Sequence, residues 1–80
     1  MTGNGKLHKV DARRLLCPLP VIRTQDAIVH LNNNEVLEVT STDPGAKEDI
    51  PSWCRTTGNE CLGVEEKDGI YHAYVRKKGE

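Results

Sequence analysis

The stretch "PVIRTQDAIVHLNNNEVLEVTST", residues 20–42, sets the architecture of the chain because its hydrophobic period changes from helical to extended. The spacing of apolar residues predicts a helix over 20–31 that lies on a sheet. Its sheet-facing side is formed by Val21, Ile28 and Leu31, with Thr24 and Ala27 beside them. The asparagines at 32–34 end this helix, since Asn tolerates left-handed backbone. The β-branched and apolar residues at 36–40 then predict a strand.

A second helix is predicted after this strand. Asp43 as N-cap with Pro44 at the first helical position is a helix-start signal. A proline inside a helix removes a backbone donor, so we expect Pro51 to interrupt the helix, with a short turn through residue 50 and a restart at 51. The restarted helix is expected to end at Gly58-Asn59 and to bury one face, made of Ile50, Trp53, Cys54 and Thr57.

The remaining strands lie at the two ends of the chain. A short first strand is predicted around Leu7, Val10 and Ala12. Residues 60–67 and 70–78 predict a closing hairpin, because the Asp68-Gly69 pair between them favours a tight type I′ turn. In the last strand we expect Tyr71, Ala73 and Val75 to face the helices, and His72, Tyr74 and Arg76 to face water.

The predicted order is therefore βαβαββ. Right-handed crossovers place both helices on one face of a mixed four-stranded sheet, which gives an α+β fold, a two-layer α/β sandwich. Eighty residues make one domain, 1–80, and residues 1–5 are expected to be disordered. The net charge of −1 gives no overall attraction to nucleic acid or anionic lipid. Without a signal peptide or a membrane-spanning run, we expect a cytoplasmic protein that has no membrane partner.

One cysteine has a sequence context that indicates chemistry. In "LLCPLPVIR", residues 15–23, Cys17 stands at a helix start, where free backbone N–H groups and the helix dipole stabilise a thiolate. The cations of Arg13, Arg14 and Arg23 are expected to lower its pKa further. Pro18 and Pro20 restrict the backbone that carries the sulfur. Flanking leucines 15, 16 and 19 form an apolar surround on which another protein can dock. The alternative is a buried core cysteine, because free Cys packs as a small hydrophobe.

Other thiol chemistries have weaker support. His8, His30 and His72 have no signature spacing from Cys17, which argues against a Cys-His hydrolase. Three cysteines without short paired spacing do not indicate a zinc site, so no metal is expected. We interpret Cys54 as structural, with a resolving thiol as the alternative, and Cys61 as a packing or edge residue. A redox switch that pairs Cys17 with Cys54 remains a third hypothesis.

Three segments resemble one protein family. "DARRLLCPLPVIR", residues 11–23, resembles the Asp-x-x-Gly-Leu-x-Cys-Pro-x-Pro signature of the TusA/SirA sulfur-carrier family. "TDPGAKEDIPSWC" followed by "TGNE" is similar to the second conserved block of that family, and "DGIYHAYVRKK" to its closing hairpin. The resemblance covers residues 10–78, nearly the whole chain.

The resemblance implies a carrier rather than a free-standing enzyme, with Cys17 as the residue that accepts sulfane sulfur as a persulfide. The donor would be a cysteine desulfurase or a rhodanese. The acceptor would be a protein of the DsrE/TusD type or a heterodisulfide-reductase-like system, in tRNA thiolation, cofactor synthesis or dissimilatory sulfur oxidation. No cofactor is implied beyond the transient persulfide sulfur. Asp11, Pro18 and Pro20 fall on signature positions.

The chain departs from the family pattern at Arg14, where the family usually has Gly. Glycine there suggests a backbone that needs positive φ or close approach, so Arg14 leaves the conformation of this loop open.

We expect the following residues to contact partner proteins, with the protein itself a monomer: Arg13, Arg14, Leu16, Leu19 and Arg23. A second candidate surface for acidic partners is a basic rim, formed by Arg55, Arg76, Lys77 and Lys78.

The rival hypothesis is a non-catalytic RNA- or protein-binding regulatory module, in which His72, Tyr74 and Arg76 stack RNA bases. The lack of net basicity disfavours direct nucleic-acid binding.

Overall fold

The computed structural model describes residues 7–15 and 19–78 of the chain. Its elements are β1 (Leu7–Ala12), α1 (Leu19–Ile28), β2 (Val36–Ser41), α2 (Ala46–Thr57), β3 (Glu60–Lys67) and β4 (Ile70–Arg76). The strands form one mixed sheet in the order β1-β2-β4-β3. β1 and β2 are parallel, whereas β4 is antiparallel to both β2 and β3. This confirms the predicted two-layer sandwich. Residues 1–5, predicted to be disordered, lie outside the described residues.

The hydrophobic core lies between the helices and one face of the sheet. In the central strands Leu37 pairs with Val75 and Val39 with Ala73, and all four side chains are buried. Because successive strand residues point to opposite faces, these residues define the helix-covered face. Ile50 of α2 is fully buried in the same cluster. The strand residues that alternate with these, such as Glu38 and Tyr74, lie on the opposite side of the sheet, which we call the open face.

Helix α1 begins at Leu19 and ends at Ile28, before the predicted end at residue 31. The chain tightens there, since the backbone N–H of Leu31 donates to the carbonyl of Ile28 across 3.1 Å. Leu31 is nevertheless buried, as are Thr24 and Ile28, so the predicted sheet-facing side of the helix is confirmed. Asn34 adopts φ 70°, the left-handed backbone predicted for the asparagine run.

Helix α2 runs without a break from Ala46 to Thr57, so the predicted interruption at Pro51 is wrong. A proline at this position lacks a hydrogen bond to the carbonyl one turn earlier, and its ring crowds that carbonyl. The buried side chains of α2, Ala46, Ile50 and Cys54, succeed one another at single-turn spacing on both sides of the proline. Their burial outweighs the lost bond. Thr57, expected on the buried face, is exposed.

The start of α2 differs from the prediction. Its N-cap is Gly45 and the helix begins at Ala46, so Asp43 is not the N-cap and Pro44 is not the first helical residue. The Asp43 Oδ1 atom instead accepts the N–H of Gly45 across 3.0 Å, in the turn that precedes the helix. At the other end Gly58 adopts φ 83° and donates its N–H to the carbonyl of Cys54, a left-handed cap.

The closing hairpin has the predicted turn. Asp68 and Gly69 adopt φ 54° and 80°, the pair of positive values that a type I′ turn requires. Ala73 and Val75 are buried as expected, and Tyr71 is half-buried. The predicted first strand is confirmed as β1, in which Leu7 points away from the core and is 47% exposed, because an odd separation from Val10 puts the two on opposite faces. None of the described helices is long and apolar enough to cross a membrane.

Candidate functional site

The predicted nucleophile Cys17 and its neighbours Leu16 and Pro18 lie outside the described residues. The structure describes the two segments that flank them, the turn at residues 13–15 after β1 and the start of α1 from Leu19. Since β1 and β2 are parallel, both strands end at the same edge of the sheet. In α/β sheets this carboxyl-terminal edge is where ligands bind. The chain segments that lead to and from Cys17 therefore lie where such folds place their sites.

Asp11 fixes the turn that leads toward Cys17. Its Oδ1 atom accepts the backbone N–H of Arg13 at 3.0 Å, and its two carboxylate oxygens accept Nε–H and Nη2–H of the Arg13 guanidinium at 2.9 Å each. These hydrogen bonds, from the side chain first and then the backbone, hold the pKa of Asp11 well below its usual range. Asp11 in turn raises the pKa of Arg13. The positive charge of Arg13 is therefore accompanied by the negative charge of Asp11.

Arg14 has the backbone conformation that favours glycine. Its φ is 69°, in the left-handed region, which costs an L-residue about 1–2 kcal/mol and glycine little. The arginine has therefore not changed the loop shape that a glycine would allow. The backbone N–H of Arg14 donates to the Thr42 Oγ1 atom across 3.0 Å, and this bond ties the turn after β1 to the residue that follows β2.

Two of the predicted partner-contacting residues, Leu19 and Arg23, lie exposed on α1. Leu19 is 44% exposed at the first position of the helix, and Ile22 in the same turn is 46% exposed. Arg23 is exposed and borders a shallow depression beside β1. Pro20, by contrast, is buried, and its carbonyl accepts the Thr24 hydroxyl across 2.8 Å. It acts as an anchor for the helix start, which agrees with its place in the signature.

A cleft opens beside this turn, at the carboxyl-terminal edge of the sheet. We call it the Arg14 cleft; it has a volume of about 410 Å³ and is lined by Asp11, Arg13, Arg14, Thr42 and Ile70. A smaller depression of about 230 Å³ continues from it along the open face and shares Asp11, Arg13 and Ile70. Sequence reasoning missed Thr42 and Ile70. Thr42 begins the second block of the family pattern, and that adjacency was the available signal.

Cys54 and Cys61 are free thiols with different surroundings. Cys54 is 1% exposed and belongs to the core cluster. Burial, reinforced by the neighbouring Cys61 thiol, raises the pKa of Cys54 to about 12, so it stays protonated near neutral pH. This supports the structural interpretation of Cys54 and argues against its use as a resolving thiol for Cys17. Cys61 is partly exposed and packs against the same cluster, in agreement with its interpretation as a packing residue.

On the open face, each of the three residues considered for RNA stacking, His72, Tyr74 and Arg76, contacts a carboxylate. His72 Nδ1 lies 2.8 Å from Glu38 Oε2, and the Tyr74 hydroxyl donates to the same oxygen across 3.4 Å. Partial burial and the nearby Glu38 carboxylate raise the pKa of Tyr74. Arg76 pairs with Glu60 across the neighbouring strand. The carboxylates of Glu38 and Glu60 are bonded to these side chains and would repel the phosphates of RNA. In the described part of the chain, no cluster of three potential ligands can hold a metal ion.

A family model described as "Sulfurtransferase TusA" matches residues 8–77. The Sulfur carrier protein TusA of Allochromatium vinosum is 35% identical over 70 residues, which cover 88% of this chain and 92% of that protein. YrkF of Bacillus subtilis is 39% identical over 71 residues, and a relative from Aquifex aeolicus is 44% identical over the same number. This chain spans only 38% and 36% of the lengths of those two proteins.

A solved structure shares the fold. The crystal structure of the SirA-like protein from Desulfitobacterium hafniense matches with a TM-score of 0.79 at 22% identity, over 92% of this chain and all of the other. At that level of identity the match establishes architecture, and it confirms the βαβαββ sandwich with its two helices on one side of the sheet.

Proposed function

The chain belongs to the TusA family, and from this premise we propose that it is a sulfur carrier that holds sulfane sulfur as a persulfide on Cys17. The observation that carries the proposal is the family match over residues 8–77, which includes the Cys-Pro-x-Pro segment. A carrier of this kind needs an accessible thiolate and no metal.

The described flanks of Cys17 support this role. Helix α1 begins at Leu19, two residues after Cys17 in the sequence, and its own first turn contains no acidic residue that would offset the positive end of its dipole. That dipole stabilises an anion by about 0.3–1 kcal/mol, which corresponds to a fall of up to about 0.7 in a thiol pKa. The exposed Leu19 and Ile22 offer apolar surface to a partner in the first turn of α1. These features favour transfer between proteins.

The proposed chemistry is thiol–persulfide exchange. The Cys17 thiolate attacks the outer sulfur of a donor persulfide, a new S–S bond forms on Cys17, and the donor cysteine leaves as a thiolate. In the second step an acceptor thiolate attacks the sulfane sulfur on Cys17, and Cys17 leaves as a thiolate. Each S–S bond broken is replaced by one formed, so neither step needs an oxidant or a reductant.

The partners and the pathway are proposed from the family resemblance. The donor would be a cysteine desulfurase or a rhodanese, and the acceptor a protein of the DsrE/TusD type or a heterodisulfide-reductase-like system. The sulfur would serve tRNA thiolation, cofactor synthesis or dissimilatory sulfur oxidation, and the expected location is the cytoplasm. The carboxylates that pair with His72, Tyr74 and Arg76 argue against the alternative of an RNA-binding module.

Mass spectrometry of the loaded protein tests the proposal. The protein is incubated with a cysteine desulfurase and cysteine, and separately with inorganic polysulfide, and a peptide map locates the added sulfur. We expect one added sulfur atom on Cys17. Cys17→Ser should fold normally and carry none, whereas Cys61→Ser should load as the wild type does.

Two outcomes would contradict the proposal. The first is a wild-type protein that neither source loads while a control carrier is loaded. The second is a Cys17→Ser variant that still carries sulfur on Cys54 or Cys61. Circular dichroism of each variant shows whether a failure to load is a failure to fold.

A further inference from the structure

Arg14 combines an unfavourable backbone conformation with a charge that has no partner among the described residues. Its φ of 69° is a conformation in which glycine is favoured. Among the residues that the structure describes, its guanidinium forms no hydrogen bond and no ion pair; only its backbone N–H is engaged, with Thr42. Neighbouring Arg13 is paired with Asp11 through two hydrogen bonds from its guanidinium. A strained residue whose side chain has no partner in the described part of the chain points to a use outside the fold.

The Arg14 cleft has the chemistry to receive a carboxylate. The Thr42 hydroxyl oxygen accepts the Arg14 N–H, and its own proton is not donated to any described residue, which leaves it for an incoming acceptor. The guanidinium presents a planar fork of donors that matches a carboxylate. Ile70 supplies one apolar wall, and the volume of about 410 Å³ exceeds that of a single acidic side chain. Asp11 is neutralised by Arg13 and does not cancel the remaining charge.

The position of the cleft identifies the source of that carboxylate. Arg14 precedes Cys17 by a few residues, and its cleft opens at the sheet edge where the chain leads to Cys17. A protein that brings its own sulfur to Cys17 must cover this edge. We propose that Arg14, with Thr42, recognises an acidic side chain on a protein that exchanges sulfur with Cys17, and so sets which relay partners the carrier accepts. This inference rests on the proposed carrier function.

The test compares protein-dependent with protein-independent loading. Each variant is loaded once from a persulfidated donor protein at varied concentration, once from inorganic polysulfide, and is then allowed to transfer sulfur to an acceptor protein. The quantity compared is the ratio of the protein-dependent rate to the polysulfide rate, which removes any effect on the thiol itself. The variants are Arg14→Gly, Arg14→Lys and Thr42→Val. Asn34→Gly is the matched control, since Asn34 also has positive φ, at 70°, and lies in the loop before β2.

We expect Arg14→Gly to raise the KM for at least one partner about three- to tenfold, the range of a solvent-accessible charged hydrogen bond between proteins. The fall of the rate with added salt should become shallower, because one attractive charge is gone. Arg14→Lys should recover part of the loss, and Thr42→Val should share part of it. Asn34→Gly should keep wild-type ratios.

The inference and the carrier function fail in distinguishable ways. If the wild type loads from both sources and Arg14→Gly keeps the wild-type KM and salt dependence with donor and acceptor alike, the role of Arg14 is overturned and the carrier function stands. If the wild type loads from neither, both are overturned. If Arg14→Gly raises the KM but leaves the salt dependence unchanged, and Thr42→Val behaves as the wild type, the proposed carboxylate site is overturned, because charge and hydroxyl then contribute nothing.

Discussion

Replacing Arg14 with glycine should stabilise the protein. In the structure Arg14 has φ 69° and its side chain has no partner among the described residues, so the substitution removes strain without removing a described side-chain interaction. Left-handed backbone costs an L-residue about 1–2 kcal/mol. Glycine offsets part of this gain, since it loses about 0.5–1 kcal/mol more conformational entropy on folding. The net gain in the free energy of unfolding is up to about 1.5 kcal/mol and is centred on about 0.75 kcal/mol.

Thermal unfolding followed by circular dichroism measures this gain. In a domain of this size, 1 kcal/mol shifts Tm by about 4–8 °C, so the central gain for Arg14→Gly should raise Tm by about 3–6 °C. Arg14→Ala separates the two contributions, because alanine keeps the Cβ strain and loses only the guanidinium. Its Tm should equal that of the wild type to within the effect of a surface substitution, about 0.5 kcal/mol. Asn34→Gly should give a smaller gain, since Asn tolerates left-handed backbone.

Two results would refute this reasoning. If Arg14→Gly lowers Tm, the side chain supports the fold and the positive φ is not the dominant cost. If Arg14→Ala raises Tm as much as Arg14→Gly does, the guanidinium is the source of the instability. The predicted result has a functional counterpart: the glycine variant is expected to be more stable and a poorer partner for the sulfur relay. Opposite signs in the two assays are typical of strain kept for function.

Three further predictions concern other parts of the chain. Native Cys54 should resist iodoacetamide at pH 8, because burial raises its pKa to about 12, and should react once urea unfolds the protein; equal rates in both states would contradict its placement in the core. Asp11→Asn should flatten the acid side of a stability-against-pH curve: a lowered folded pKa stabilises the protein above the unfolded pKa, about 3.9, and this contribution is lost as pH falls below it. An unchanged curve would show that the Arg13 pair contributes nothing to the fold. Pro51→Ala should raise the free energy of unfolding by about 1–2 kcal/mol, since it restores one hydrogen bond in a continuous helix; a fall measured by urea titration would mean that the proline is needed for packing.

Local signals in the sequence predicted most of the fold. The change of period across residues 20–42 located α1 and β2, and Asp68-Gly69 located the hairpin with its turn type. These features depend on residues close together in the chain, where hydrophobic spacing and turn chemistry act directly. The prediction at Pro51 was wrong because it considered only the local cost of a proline. The buried residues Ala46 and Cys54, on either side of it, contribute a tertiary gain that no local rule contains.

The site was predictable only in part because its key contact joins distant segments. The family pattern indicated a glycine-like backbone at position 14, and the structure has that φ with arginine in place. Nothing in the sequence pairs Arg14 with Thr42, since their hydrogen bond spans the β1–α1–β2 crossover and exists only once the two parallel strands are in register. That register brings Asp11 beside Thr40 and Ala12 beside Ser41, so the residues after both strands meet at one edge. The two conserved blocks of the family are thus parts of one structure: the second block supplies the hydroxyl that holds the turn leading to Cys17. Thr42→Val should therefore loosen this turn, which faster amide hydrogen exchange at Arg14 than in the wild type would show.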